Sequence, residues 1–364
     1  MALSIGIVGL PNVGKSTLFN ALNGGGAEAA NYPFCTIDPN VGLVQVPDTR
    51  MQALADIVKP QAMQHAVVEF VDIAGLVAGA ASGEGLGNKF LANIRECSAI
   101  AHVVRCFDDE NVTHVANQID PLSDIEVIDT ELMLKDMESM QKAVERTSKL
   151  TKAGNKEALA LLEIQKRVLQ GLEDGVTVRR QKLSDDDMAK IKDYCLLTAK
   201  PVLYIANVDD GSLPDGNEYV NRVREFAQEE DAEVAVVSAQ IESELVEMDE
   251  ESKAEFLSDL GLKEPGLNTV IRSAYTLLNL ITYFTAGVKE VRAWTIHVGD
   301  TAPKAAAVIH NDFEKGFIRA ETIAYEDFVS LGGEAKCKEA GKMRLEGKEY
   351  IVQDGDVMHF RFNV

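Results

Sequence analysis

The residues best suited to chemistry lie near the start of the chain, in a glycine-rich segment that ends in lysine and serine. Gly9 to Ser16 read Gly-Leu-Pro-Asn-Val-Gly-Lys-Ser and match the pattern G-x-x-x-x-G-K-[ST]. Glycines let the backbone curl so that several N–H groups point at one phosphate. The lysine reaches the terminal phosphates as a point charge, and the serine hydroxyl can bind Mg²⁺. The segment predicts a nucleoside triphosphate site formed by Asn12, Val13, Gly14, Lys15, Ser16 and Thr17.

Three side chains are expected around the Mg²⁺ that accompanies these phosphates. Asp72 ends an apolar run, where its carboxylate can hold the water shell of the metal, and the N–H of Gly75 can reach a γ-phosphate. Thr36 lies between the two motifs and is expected to close on Mg²⁺ only when a γ-phosphate is present. An ordinary loop hydroxyl is the alternative for Thr36. The predicted metal ligands are therefore Ser16, Thr36 and Asp72, with Lys15 and Gly75 in catalytic roles.

A base-binding site is predicted where two later apolar runs end. Asn207, Val208 and Asp210 follow one run, and Ser238 and Ala239 follow the next. Sheets that bind nucleotides do so beyond the carboxyl ends of their strands. Guanine-binding proteins of this superfamily carry N-K-x-D here, whereas this chain has valine in place of the lysine and keeps an acid. The choice between adenine and guanine therefore stays open.

The elements that must position these residues alternate between strand and helix, which predicts an α/β fold with a mostly parallel sheet. The expected strands are residues 3–8, 41–46, 67–71, 100–106, 201–206 and 234–237. Residues 15–22 are expected to form the helix after the phosphate segment. Apolar residues at steps of three and four predict an inserted antiparallel helical hairpin, with a third helix from Ser184 towards Thr198. Strand and helix signals return near the C-terminus. We therefore expect a nucleotide-binding domain of residues 1–124 and 200–280, a helical insertion of 125–199, and an α+β module of 281–364.

Charge is distributed unevenly along the chain. The net charge of −22 and the pI of about 4.7 exclude a general polyanion binder, so no DNA partner is expected. Residues 135–182 nevertheless contain 11 basic and 7 acidic side chains. Several of the basic ones surround the expected turn of the hairpin, which indicates phosphate contacts to structured RNA through Lys149, Lys152 and Lys156. A solvated helix face with internal ion pairs is the alternative.

The cysteines and the apolar runs of the chain indicate the compartment in which the protein is expected. There are 5 cysteines and no CxxC pair, so neither a disulfide framework nor a zinc site is expected, and the reducing cytoplasm is the default. No run of about 18 apolar residues predicts a transmembrane helix. The first apolar run follows no basic segment and is not expected to be a signal peptide.

Three segments together resemble a known family. Residues 9–17, the run Asn31-Tyr32-Pro33-Phe34-Cys35-Thr36-Ile37, and residues 72–90 resemble the Obg branch of translation-factor P-loop NTPases. The helical insertion and a C-terminal module containing Asp354-Gly355-Asp356-Val357 narrow the resemblance to the YchF type, the Obg-like ATPases. The resemblance implies a nucleotide-binding core, an inserted helical coiled coil and a C-terminal β-grasp (TGS) domain. It also implies ribosome association and a preference for ATP over GTP.

The resemblance bears on catalysis and leaves more than one activity open. It implies that a hydrophobic residue, here Leu76, replaces the glutamine that orients water in Ras-like GTPases. It implies instead that His114 assists hydrolysis, although the residues alone favour an ordinary solvated loop histidine. The family usually carries N-x-x-E where this chain has Asp210, so GTP hydrolysis remains an alternative to ATP hydrolysis. Two further activities remain alternatives: a P-loop kinase, and a nucleotide-gated binding module that does not hydrolyse its nucleotide. The elongated hairpin favours binding of a partner over the lid of a kinase.

Overall fold

The chain forms two compact units. The computed structural model describes residues 4–24, 40–73, 86–109, 119–151 and 155–363. One unit comprises residues 1–43 and 69–273, and the other comprises residues 44–68 and 274–364. The sequence pattern predicts three domains with all of residues 1–124 in the first. The two compact units group residues 44–68 and 274–280 with the C-terminal part of the chain, whereas the sequence pattern places both segments in the first domain; the three-domain division stays a prediction.

A six-stranded sheet positions the predicted nucleotide site. Its strands are β1 (Ser4–Val8), β2 (Val41–Gln45), β4 (Val67–Asp72), β5 (Ala99–Arg105), β6 (Val202–Asn207) and β7 (Glu233–Val237). Their order is β2-β4-β1-β5-β6-β7, and the pairs β1–β4, β1–β5, β5–β6 and β6–β7 are parallel. Every residue of β1, β5 and β6 is buried. Such continuous apolar strands are typical of a parallel sheet covered on both faces, which confirms the α/β prediction.

Helices connect the strands of both units, and several of them begin at a polar capping residue. Outside the insertion, the helices are α1 (Lys15–Gly24), α2 (Arg50–Val58), α3 (Leu86–Glu96), α7 (Glu218–Gln228), α8 (Ala239–Glu247), α9 (Glu250–Asp259), α10 (Gly266–Leu277), α11 (Ala302–Ile309), α12 (Asn311–Lys315), α13 (Tyr325–Leu331) and α14 (Glu334–Glu339). The side chains of Asn217, Ser238 and Asp249 cap α7, α8 and α9 by accepting hydrogen bonds from backbone N–H groups. Among the helices that the structure describes, none combines the length and apolar composition needed to cross a bilayer.

The helical insertion consists of an antiparallel pair of long helices and a shorter third helix, with an apolar core of its own. Its helices are α4 (Pro121–Thr151), α5 (Lys156–Glu173) and α6 (Asp185–Ile191). Met140, Val168 and Leu172 are buried where α4 and α5 meet. The expectation of one helix from residue 184 towards Thr198 was wrong, because α6 ends at Ile191 and short 3-10 turns follow. The buried Asp136 carboxylate accepts hydrogen bonds from the N–H groups of Leu197 and Thr198, each at 2.8 Å, and this holds the segment in a tight turn.

The second unit contains a mixed sheet. Its strands are β3 (Ala62–Gln64), β8 (Leu280–Ala286), β9 (Glu290–His297), β10 (Phe317–Ile323), β11 (Arg344–Glu346) and β12 (Val357–Phe362). Their order is β11-β10-β12-β8-β9-β3. Strand β3 pairs in parallel with β9, with Met63 opposite Val291. A segment far from the C-terminus in sequence therefore supplies the edge strand of this sheet.

Candidate functional site

The glycine-rich segment forms a curled loop between β1 and α1, as its spacing predicts. Gly14 has a φ of +93°, a conformation that L side chains rarely adopt. A Cβ atom there would also overlap the Asn207 amide, and one at Gly9 would lie 2.8 Å from the Val103 carbonyl oxygen. The turn and the close approach of neighbouring strands thus require glycine at both positions. Ser16 and Thr17 follow in the first turn of α1 and are exposed.

Lys15 and Asp72 meet at the carboxyl ends of two neighbouring strands. In the parallel register of β1 and β4, Ile7 lies opposite Asp72, and Lys15 begins the helix that follows β1. The Lys15 ammonium donates a hydrogen bond to the Asp72 carboxylate. Their side chains are 9% and 21% exposed, so the pair is shielded from water but accessible from one side. The arrangement brings a cation for phosphate next to a carboxylate suited to a divalent metal.

The donor set at this point fits Mg²⁺. The Ser16 hydroxyl and the Asp72 carboxylate are hard oxygen ligands, which Mg²⁺ prefers, and it usually keeps several waters and substrate phosphate oxygens. Among the described residues, no group of three or more His, Cys, Asp and Glu side chains could hold a metal ion by itself. That is compatible with Mg²⁺, which binds beside a nucleotide through one or two protein oxygens.

Asn207 joins the phosphate loop to the predicted base site. It ends β6 and is only 4% exposed. Its amide nitrogen donates to the Val13 carbonyl oxygen at 2.9 Å, and its amide oxygen accepts from the Ala239 N–H at 2.9 Å. Both polar ends of one side chain are therefore used, and they fix the distance between the loop before α1 and the start of α8.

A pocket of about 370 Å³ opens beside Asn207. The predicted residues Val208, Asp210 and Ser238 line it, and the Ser238 hydroxyl donates to the Asp210 carboxylate at 3.3 Å. Ala239 lies at its border through the hydrogen bond to Asn207. Its volume is within the range of ligand pockets.

The same pocket contains residues that no sequence motif indicates. These are Phe107, Asp108, Asp109, Asp209, Gly211 and Gln240. The Arg105 guanidinium lies over the Phe107 ring, 4.6 Å from its centroid, and donates to the Phe107 carbonyl oxygen at 3.1 Å. Only the position of Phe107 in the sequence could have indicated its place in the pocket, because it follows β5 at the edge of the sheet where β6 also ends. The aspartates of the lining can accept hydrogen bonds from amino groups of a base.

Five residues singled out by the sequence lie outside the described part of the chain: Thr36, Gly75, Leu76, His114 and Lys152. Their roles stay predictions. Lys149 in the last turn of α4 and Lys156 at the start of α5 are exposed, and in the described ranges neither forms an ion pair. Arg179 and Arg180, which contributed to the basic count of the insertion, instead form ion pairs with Asp129, Glu229 and Glu230.

Comparisons with known proteins agree with this geometry. Residues 4–135 match a family model described as a 50S ribosome-binding GTPase, and residues 280–363 match the YchF-GTPase_C model, described as a protein of unknown function. The chain is 62% identical over 364 residues to the ribosome-binding ATPase YchF of Haemophilus influenzae and 56% identical over 366 residues to that of Bacillus subtilis, with 100% of both chains covered in each case. The chain belongs to the YchF family.

A solved structure supports the same assignment for the fold. The YchF GTPase of Schizosaccharomyces pombe is 39% identical, covers 99% of this chain and 97% of its own, and superposes with a TM-score of 0.89. The resemblance to YchF proteins inferred from the sequence is thereby confirmed. The α/β core and the C-terminal module are the fold of that family.

Proposed function

We propose that this YchF-family chain is a Mg²⁺-dependent P-loop ATPase that binds the ribosome and works in the cytoplasm as a molecular switch. Its relatives in Haemophilus influenzae and Bacillus subtilis are named ribosome-binding ATPases. The observation that carries the proposal is the convergence of Lys15 and Asp72 beside the curled Gly14 loop. This is the arrangement that a triphosphate and its metal require.

Each group of residues has a role in this proposal. Asn12 to Thr17 surround the phosphates, and the Lys15 ammonium balances their charge. Ser16, Asp72 and Thr36 hold Mg²⁺, which when bound neutralises charge on the phosphate oxygens. The N–H of Gly75 contacts the γ-phosphate.

The base lies in the pocket beside Asn207, where Val208, Asp210, Ser238 and Ala239 bind it. The aspartate at position 210 is a reason to keep guanine as a second candidate. Since Ser238 donates a hydrogen bond to its carboxylate, the acid is held at the pocket wall.

The decisive experiment measures phosphate release from ATP and from GTP, with and without ribosomes. We expect faster release from ATP and none from Lys15→Ala, because the terminal phosphates lose their counter-charge. Lys263→Ala removes an exposed lysine of the same unit and serves as the control. Unchanged turnover in a folded Lys15→Ala protein would show that the reaction occurs elsewhere. Faster release from GTP would favour the GTPase, and the absence of release under every condition would favour a nucleotide-gated binding module.

Water activation is assigned to His114 in this proposal. Leu76 has no group that can orient a water molecule, whereas an imidazole can orient or deprotonate one near neutral pH. We expect His114→Ala to lower kcat while leaving the affinity for a non-hydrolysable ATP analogue nearly unchanged. Equal turnover in variant and parent would leave His114 as an ordinary loop residue.

A further inference from the structure

The mixed sheet of the second unit is split between its two central strands. Strands β8 and β12 run parallel, but their register consists of Val357 opposite Phe284 alone. The Phe284 N–H donates to the Asp356 carbonyl oxygen at 2.8 Å. Beyond that step β8 continues to Ala286 and β12 to Phe362. In residues 155–363, which are described without a gap, no further pairing joins them.

The split leaves backbone hydrogen-bonding groups without a strand partner. Residues of a strand direct their N–H and C=O groups alternately to its two sides. The hydrogen bond between Phe284 and Asp356 shows that the even-numbered residues of both strands direct their backbone groups towards each other. The backbone groups of Ala286, Phe360 and Phe362 therefore face the split. On its other side, β12 is fully paired with β10 from Val357 to Phe362. The inner edge of β12 is thus an open strand edge, which is a template for another strand.

A cleft of about 520 Å³ lies beside the split and is lined by residues of both β8 and β12. Met358 and Phe360 line it from the face that carries the core of the unit, and Val357 and His359 line it from the opposite face. Val288 at its mouth is 67% exposed. Apolar side chains from both faces therefore surround the open edge, so a strand placed there finds sites for its alternate side chains.

The charges at the rim favour one kind of occupant. The cleft is lined by the carboxylates of Glu290, Glu321 and Glu334 and by one ammonium, that of Lys289. The Arg361 guanidinium neutralises Glu321 through hydrogen bonds of 3.2 and 3.0 Å. In the described part of the second unit, Glu290 and Glu334 form no ion pair. The rim is therefore complementary to a cation.

We propose that the cleft between β8 and β12 accepts an extended segment of a partner protein. The segment adds its backbone to the open edge of β12, places apolar side chains in the cleft and a basic side chain beside Glu290 and Glu334. Backbone pairing supplies affinity in this binding mode, and the pockets for alternate side chains supply specificity. This site is separate from the nucleotide site and does not rest on the proposed ATPase.

The test uses the full chain and a fluorescein-labelled synthetic peptide in which valine alternates with lysine and threonine. We expect saturable binding by fluorescence anisotropy and slower amide exchange across residues 358–362. Val288→Lys removes an apolar contact and repels the lysines of the peptide, so it should weaken binding about tenfold, which corresponds to about 1.4 kcal/mol. Val298→Lys is the matched control, since Val298 is 54% exposed in the same unit and does not line the cleft.

Two further peptides separate strand addition from other modes. A peptide N-methylated at alternate residues keeps its side chains but loses backbone donors, and we expect it to bind at least about tenfold more weakly. The second peptide keeps all its backbone N–H groups but has glutamate in place of each lysine, and we expect it to bind more weakly as well. Equal affinity of the N-methylated peptide, equal affinity of the Val288→Lys chain, or no saturable binding would each overturn the proposal. The proposal would also be overturned if an RNA oligonucleotide displaced the peptide and the peptide did not slow amide exchange at residues 358–362. That result would mean that the peptide binds at an RNA site and not at the strand edge.

Discussion

Asn207 connects the two halves of the candidate site through a single amide. Its two hydrogen bonds, to Val13 and Ala239, are both 2.9 Å long and buried. Asparagine suits this position because it presents one donor and one acceptor on a short side chain. Neither serine nor aspartate offers the same pair of groups at that separation.

We expect Asn207→Asp to be damaging although it preserves shape. The carboxylate can still accept from the Ala239 N–H, but the oxygen that replaces the amide nitrogen faces the Val13 carbonyl oxygen. A buried acceptor without a donor costs about 1–3 kcal/mol, and an unpaired charge costs more. Thermal unfolding and titration calorimetry with ATP should both show the loss. Asn221→Asp, at a surface position in α7, is the control. Parent-like affinity and stability in Asn207→Asp would mean that the bridge is dispensable.

The sequence predicted these side chains to different extents. Lys15 and Asp72 were predictable because their motifs follow strands whose carboxyl ends meet at one edge of the sheet. The glycine requirement at position 14 follows from the same motif and is visible as a positive φ. Phe107 was not predictable from a motif, since its place in the pocket depends on the adjacency of β5 and β6. That adjacency is a property of the strand order and not of local spacing.

Among the elements, the helical insertion is anchored to the parallel sheet by a buried ionic cluster. The Arg179 guanidinium donates to Asp129 of α4 at 2.6 and 2.7 Å and to Glu230 at 2.9 Å. Tyr204 of β6 donates to the same Glu230 carboxylate at 2.9 Å. Burial and the nearby Arg179 charge lower the pKa of His102 to about 3, so the imidazole is neutral. One arginine thus neutralises two carboxylates, one in α4 and one in the turn that follows α7.

Two neighbouring arginines allow a matched test of this cluster. The Arg179 side chain is 8% exposed, whereas Arg180 is 32% exposed and pairs with Glu229, which is 61% exposed. Arg179→Ala leaves buried carboxylates uncompensated and should cost about 3–5 kcal/mol of unfolding free energy. Arg180→Ala removes an exposed pair and should cost about 0–1 kcal/mol. Urea unfolding at pH 7 would measure both. Similar losses in the two variants would show that Arg179 does not anchor the insertion.

Another contact between elements predicts a pH dependence. Glu242 of α8 accepts a hydrogen bond of 2.7 Å from the Gly266 N–H at the start of α10. Burial raises the pKa of Glu242 from 4.5 to about 7, against the opposing effect of its backbone hydrogen bonds. The folded state therefore favours the protonated acid. Its contribution to stability is fully present below pH 4.5 and is lost as the pH rises through 7.

We expect Glu242→Gln to remove this dependence, because the amide does not titrate. The stability of the variant relative to the parent should rise between about pH 5 and 8, by up to about 3 kcal/mol. Urea unfolding at several pH values would measure the difference. Glu247→Gln removes an exposed carboxylate from the same helix and is the control. A constant difference between Glu242→Gln and the parent over this range would contradict the prediction.

The elements that the sequence did not predict depend on distant partners. Strand β3 has only three residues, and nothing in its own pattern indicates that it pairs with β9. The turn at Leu197 and Thr198, which the sequence predicted as helix, is held by hydrogen bonds to Asp136, a residue of another helix. By contrast, β1, β5 and β6 were predicted because a continuous apolar run indicates a strand that is buried on both faces of the sheet.

At the scale of the whole molecule, the main feature is the uneven charge. The chain carries a net charge of −22 and is repelled by polyanions at long range. The ion pairs of Arg167, Arg179 and Arg180 remove part of the basic excess of the insertion. What remains exposed includes Lys149 and Lys156, at the end of the hairpin where α4 and α5 are joined.

We expect these lysines to contact ribosomal RNA phosphates in the proposed function. Replacing Lys149, Lys152 and Lys156 by alanine should weaken ribosome binding without changing ATP hydrolysis in the absence of ribosomes. Each lost phosphate contact reduces the dependence of log affinity on log salt, so the loss of three contacts should lower the slope by about 2–3 units. Co-sedimentation with ribosomes over a series of salt concentrations measures both effects.

The control for this prediction removes three exposed lysines from the other unit: Lys336, Lys338 and Lys348. If the hairpin makes the contact, this control should bind ribosomes as the parent does and with the same salt slope, because the overall charge change is matched. Loss of binding in the control together with full binding by the hairpin variant would assign the contact to the C-terminal unit. Binding that does not change with salt in the parent would exclude phosphate contacts as the main source of affinity, since released counterions make such contacts salt-dependent.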